Sequence, residues 1–343
     1  MKVDEGGCEW VAVMVRGYDL ETQLCELERN HPELHAVIDP QRLSTWRDEL
    51  AHRSEMQDDF GPSGRGVEYL QAQELNVNAR AVGITQLAQL MLGRPGANPA
   101  RDRIIVDLLG GNGLVRRVIS ATLGPRAASV LTCDASPHMV SAAWAQGAPA
   151  IIQRAEQSLL RSGSVDGVLL AYGSHHIPVG LRQTVANEAY RVLRPGGIFV
   201  LHDFLHGSPA ERWFADVAHP YSLTGHDFEH FTYREIKDCI ARAGFVTSSV
   251  MDLDDSYTVT GATADEARRN MGQYLVKMYG LVRVERELGT DAAYYWAADQ
   301  ARQIFRYADD GVTAKASRLC YDDRERTWYL TIPRRAVVGI GWK

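Results

Sequence analysis

Ile104-Ile-Val-Asp-Leu-Leu-Gly-Gly-Asn-Gly113 is a short aliphatic run that ends in an acid and then in three glycines within four positions. Turn formers end the apolar run before it reaches helix length, which reads as a strand buried on both faces. Glycines let backbone N–H groups, and the first turn of the helix that follows, approach a bound ligand closely. A doubly wound sheet binds its ligands at this carboxyl edge.

Working outward, further apolar runs at 129–132, 150–152, 167–171 and 198–202 alternate with helical stretches. One such stretch is 181–193, stopped by Arg194-Pro-Gly-Gly197; another is 233–243, ended by Gly244 and followed by a strand at 245–251. Strands alternating with helices predict βαβ units around a parallel sheet. The fold class is therefore α/β, doubly wound.

Before this region, residues from about 15 to 92 carry helical spacing, as in Ile84, Leu87, Leu90 and Met91. Turn formers interrupt it at 59–66 and again at 93–99. After it, Met271, Tyr274, Leu275, Met278, Leu281 and Val282 share one helical face, and 327–332 and 336–342 read as strands. The expected division is a helical lid region at 1–99, a ligand-binding domain at 100–260, and a late helical insertion at 261–343 with final strands completing the sheet.

The chain has 343 residues, 45% hydrophobic and 23% charged, as in ordinary globular proteins. Its net charge of −6 argues against a nucleic-acid partner, which requires clustered basic residues. Five cysteines at wide spacing form no CxxC pair, which points to a reduced, cytoplasmic setting. Neither a signal peptide nor a membrane-length apolar run is present, so no membrane is expected.

Asp134 ends the next strand, where a carboxylate can accept both hydroxyls of a ribose. A dinucleotide fingerprint would place Gly or Ala at position 116, which is Arg116 here. Over about residues 100–250 the chain resembles the class I S-adenosylmethionine-dependent methyltransferases. The 107–113 stretch is similar to their first motif and Asp134 to their ribose-binding acid. Ala155-Glu156 stands where that family contacts adenine. The stretch from Asp166 to Ile177 is similar to the fourth-strand motif, and Arg191 to Gly197 to the turn before the fifth strand.

The resemblance implies a mostly parallel, seven-stranded, Rossmann-like sheet that binds S-adenosylmethionine. It implies cofactor contacts from Asp107, Leu109, Gly110, Gly111, Gly113, Asp134, Ala135, Ala155, Glu156, Tyr172 and Tyr69. Leu109 departs from the glycine usual at its position, where the methionine end of the cofactor lies.

His175, His176 and Tyr172 follow the fourth strand at the cofactor edge and are the candidate catalytic groups, imidazole being a base near neutral pH. His202, Asp203, His206, His226 and His230 match no compact ligand spacing, so no metal is assigned. The aromatic side chains Trp46, Tyr69, Tyr274, Tyr279, Tyr294, Tyr295 and Trp296 are expected mainly in the core, with one or two facing the sulfonium.

The expected function is methyl transfer to a small molecule in specialised metabolism, with room for a homodimer. The alternative is intramolecular cyclisation of S-adenosylmethionine to azetidine-2-carboxylate or aminocyclopropane carboxylate, releasing methylthioadenosine. A third reading, a non-catalytic cofactor-binding scaffold, is disfavoured because the acids Asp107, Asp134 and Asp166 are all present.

Overall fold

A computed structural model describes residues 19–51, 59–92, 103–124 and 127–343. The turn formers at 93–99 lie outside these residues. Seven strands form the main sheet: β1 (Ile104–Asp107), β2 (Ser129–Asp134), β3 (Ala150–Ile152), β4 (Val165–Leu170), β5 (Leu193–Asp203), β6 (Thr247–Asp254) and β10 (Arg335–Trp342). Their order is β3-β2-β1-β4-β5-β10-β6. The first five run parallel, while β10 lies antiparallel between β5 and β6.

Strand periodicity explains the layering. Ile104 and Val106 point into the core on one face and Ile105 into the core on the other. Helices α5 (Ala81–Leu92) and α6 (Leu114–Leu123) cover the second face through Ile84, Leu87, Val115 and Val118. The first face is covered by α7 (Pro137–Ala145), α8 (Val179–Val192) and α10 (Tyr233–Arg242), together with part of the N-terminal region.

That N-terminal region divides in two. Helices α1 (Leu20–Asn30), α2 (Pro32–His35) and α3 (Pro40–Ala51) join the core at the β3 edge. Trp46 donates to the Ile152 carbonyl at 3.0 Å, and Gln23 accepts from the Ile152 N–H at 2.9 Å. Helix α4 (Gly66–Leu75) instead packs on the late insertion, starting straight after the 59–65 turns.

The insertion has its own core. That core is built from α11 (Ala264–Tyr279), α12 (Val282–Leu288) and α13 (Thr290–Ile304), joined by α9 (Pro209–Trp213, continued by a π-helical turn at Phe214–Ala218) from the preceding domain. The expected helical face through Leu281 and Val282 breaks at Gly280, which caps α11 at φ 59°. The two late strands also separate. Thr327–Ile332 is β9, the centre of an antiparallel β7-β9-β8 sheet with β7 (Tyr257–Gly261) and β8 (Arg318–Asp322). Pro333, which has no N–H for a ladder, ends that sheet, and only β10 enters the main one. Among the described residues, no helix is long and apolar enough to cross a membrane.

Candidate active site

The carboxyl ends of β1, β2 and β4 open on a cavity of about 1400 Å³ that also reaches the N-terminal turns and the insertion. At the β1 end, Gly113 adopts φ 75°, and a Cβ there would stand 2.3 Å from the Ala148 side chain, so the turn passes too close for any other residue. The Asp134 carboxylate accepts from the Gly111 N–H and the Ser136 N–H, each at 2.9 Å. A carboxylate offers about four lone-pair sites, so these bonds fix its position and still permit ribose hydroxyls to bind. Ser136 also caps α7, whose first turn lines the cavity.

Leu109, Gly111, Asp134, Ala135, Ala155, Glu156, Tyr172 and Tyr69 line the cavity. Asp107, Gly110 and Gly113 build the turn from behind. Asp166 stands apart: it accepts from the Ile104 N–H at 2.9 Å and from Arg194 at 2.6 Å, tying β4 to β1 and β5. It therefore carries no weight in the scaffold-versus-enzyme question.

Asp107 is buried, and its Oδ2 has no hydrogen-bond partner. Burial, aided by the Asp134 charge and opposed by Arg80, pushes its pKa up to about 7. The folded form thus holds a proton that the unfolded chain releases near pH 4. In the ligand-free protein, stability should fall as pH rises between about 4 and 7, and Asp107→Asn should flatten that slope. Denaturant titrations at pH 5 and 7.5 read it; parallel slopes for wild type and variant would remove Asp107 as the cause.

Tyr172 sits just past β4 with φ 63°, a left-handed conformation costly for a residue with a Cβ and typical of functional sites. Its hydroxyl donates to Asp255 at 2.9 Å, and its ring lies 4.4 Å from that of His202. Asp255, fully buried, also pairs with Arg334 at 2.5 Å. Opposing the burial that would raise it, Arg334 holds the Asp255 carboxyl below its ordinary range. Helix α5 passes this carboxylate at Gly83, where a Cβ would fall 1.9 Å from Oδ1.

His175 and His176 form a short 3-10 turn on the same edge. Asp203, at the end of β5, accepts from His175 Nδ1 at 2.8 Å, from the His175 N–H at 2.7 Å, from the Phe204 N–H at 2.7 Å, and from the Ser174 hydroxyl. These bonds overcome burial and hold its carboxyl well below the usual range. His175 therefore keeps Nδ1 on Asp203 and lines the cavity.

The histidines expected as one loose group disperse. His202 lies beneath Tyr172, and His206 is on the surface with Glu211. His226 and His230 join the pair, their rings 5.0 and 5.2 Å from that of His175. The linear spacing hid this, because β4 and β5 are adjacent and the segments following them meet in space. Burial and neighbouring charges lower the pKa of His176 and His226, and that of His230 to about 4, so these rings are neutral at pH 7.

Two donor sets, His175-His176-His226 and His175-Asp203-His230, have atoms within 4.8 Å of one another. The second requires Asp203, which is already engaged four times. The first places the Arg65 guanidinium 3.2 Å from His176 Nε2, a positive charge that opposes a cation.

The aromatic residues also sort themselves. Tyr69 and Tyr279 line the cavity, while Trp46, Tyr274 and Tyr294 are core and Tyr295 bonds Asp265 outside it. Arg65, Arg80, Arg334 and Asp255 are the site residues that carry no sequence signal as functional groups, since each is defined by a tertiary partner.

The chain matches known proteins in the same region. A methyltransferase domain model fits residues 106–201. The chain is 29% identical over 183 residues to the arsenite methyltransferase of Halobacterium salinarum, covering 50% of itself and 44% of that protein, less than half the relative's length. It is similar in fold to a phosphoethanolamine N-methyltransferase of Haemonchus contortus in complex with S-adenosyl-L-methionine. That likeness has a TM-score of 0.50 at 15% identity and covers 84% of this chain and 58% of the other. Together with the sheet order and the glycine turn, the match identifies the middle of the chain as a class I, S-adenosylmethionine-dependent methyltransferase domain.

Proposed function

We propose that the protein transfers a methyl group from S-adenosylmethionine to a small, partly apolar acceptor, with His175 as the base. The observation that carries this reading is the Asp203–His175 pair, whose imidazole lines the same cavity as Asp134. Bound S-adenosylmethionine supplies a sulfonium-activated methyl group. Asp134 and Glu156 position the ribose and adenine, and Ala155 and Ala135 leave room for them. Asp203 fixes the His175 tautomer, so Nε2 receives the acceptor's proton and the imidazolium keeps a counter-charge. His176 orients the acceptor, and Tyr172, Phe204, Phe214 and Tyr279 form aromatic walls that suit both an apolar acceptor and the sulfonium charge.

Purified protein incubated with S-adenosylmethionine alone should leave it intact, and S-adenosylhomocysteine should form only after an acceptor is added. Methylthioadenosine formed without any acceptor would overturn methyl transfer in favour of cyclisation.

A further inference from the structure

Four arginines line the cavity among the described residues, and three have an acid. Arg65 pairs with Asp59 at 2.8 Å, Arg334 with Asp255 at 2.5 Å, and Arg154 with Glu156 at 3.8 Å. Arg80 has none: no described carboxylate comes within ion-pairing distance of it. It is 5% exposed, donates one N–H to the Tyr69 hydroxyl at 3.0 Å, and leaves its Nε without an acceptor. Its guanidinium carbon stands 4.7 Å from the Tyr172 ring centroid and 5.8 Å from that of Tyr69.

A guanidinium cannot lose its proton, so burying it without a counter-charge is costly unless a ligand provides one. Its planar fork fits a carboxylate with two parallel hydrogen bonds. The position selects the ligand. Arg80 lies over Tyr172, and its charge acts on Asp107, the last residue of β1 before the glycine turn. The acceptor side of the cavity, with His175, His176 and His226, has Arg65 as its cation instead.

We propose that Arg80 is the receptor for the carboxylate of the amino-acid arm of the S-adenosyl ligand. This rests on the reading under Proposed function and extends it from the nucleoside to the other end of the molecule. Tyr69 and Tyr172 clamp the guanidinium, so the fork is held ready before the ligand arrives and little ordering is required on binding. One consequence is selectivity: the site prefers nucleosides that keep the amino-acid arm over those that have lost it.

Calorimetric titration of the full-length protein with S-adenosylhomocysteine and with methylthioadenosine, which lacks the arm, separates the contributions. Arg80→Gln should weaken S-adenosylhomocysteine on the order of 10- to 100-fold, as expected for a lost charged hydrogen-bond pair, and leave methylthioadenosine unchanged. Arg80→Lys should fall between. Unchanged S-adenosylhomocysteine affinity in Arg80→Gln would overturn the assignment, and so would equal losses for both nucleosides, which mark a misfolded cavity. A wild-type protein that binds neither nucleoside would overturn this inference together with the reading it rests on.

Discussion

Asp134→Ala should lower the affinity for S-adenosylhomocysteine by about 100-fold, the equivalent of about 3 kcal/mol for two hydrogen bonds to a charged acceptor. The effect has two sources. The ribose hydroxyls lose their acceptor, and the Gly111 and Ser136 N–H groups lose the carboxylate that holds the turn against the start of α7. Because the second source is conformational, Asp134→Asn should recover part of the loss, its amide oxygen still accepting one of the two backbone bonds. Calorimetry on the three proteins decides it. An alanine variant within about threefold of wild type would mean that the ribose lies elsewhere.

His175→Ala should reduce turnover about 10²- to 10⁴-fold, the range for removing a positioned base, while S-adenosylhomocysteine still binds within a few fold. Asp203 acts through His175 and is a positioning residue. Asp203→Asn should also lose turnover, because an amide cannot accept from His175, Ser174 and two backbone N–H groups at once. It should lower the melting temperature as well, since the carboxylate is fully buried. The informative quantity is kcat against cofactor affinity: a loss confined to kcat supports the pair as chemistry, and a loss in cofactor affinity of the same size would reduce it to scaffold.

The α/β class and the glycine turn were legible because they are local. Residues 104–113 announce a buried strand and a tight turn through composition alone, and Asp134 follows from the next strand's end. What the sequence concealed depends on which segments meet. His175 and His226 are far apart along the chain, yet adjacent parallel strands bring their loops together. Asp255 and Arg334 look like surface charges until Tyr172 and Gly83 are seen packed on the carboxylate. Thr327–Ile332 has the pattern of any amphipathic strand, and the pairing that assigns it to the small sheet depends on β7, some 70 residues earlier. Leu109, a departure within the first motif, takes its place on the cavity wall beside Gly173.

The antiparallel insertion of β10 has a consequence for how the molecule is made. A nascent chain that has emerged as far as residue 330 carries every parallel strand, yet β5 and β6 each present an unpaired edge to other chains. Sealing both at once requires a segment that arrives more than 80 residues after β6, a late, long-range closure of the kind that slows folding and exposes intermediates. Arg334, immediately before that segment, reaches Asp255 in the same event. Until β10 docks, nothing holds Arg334, a residue of the cavity lining, against its buried acid.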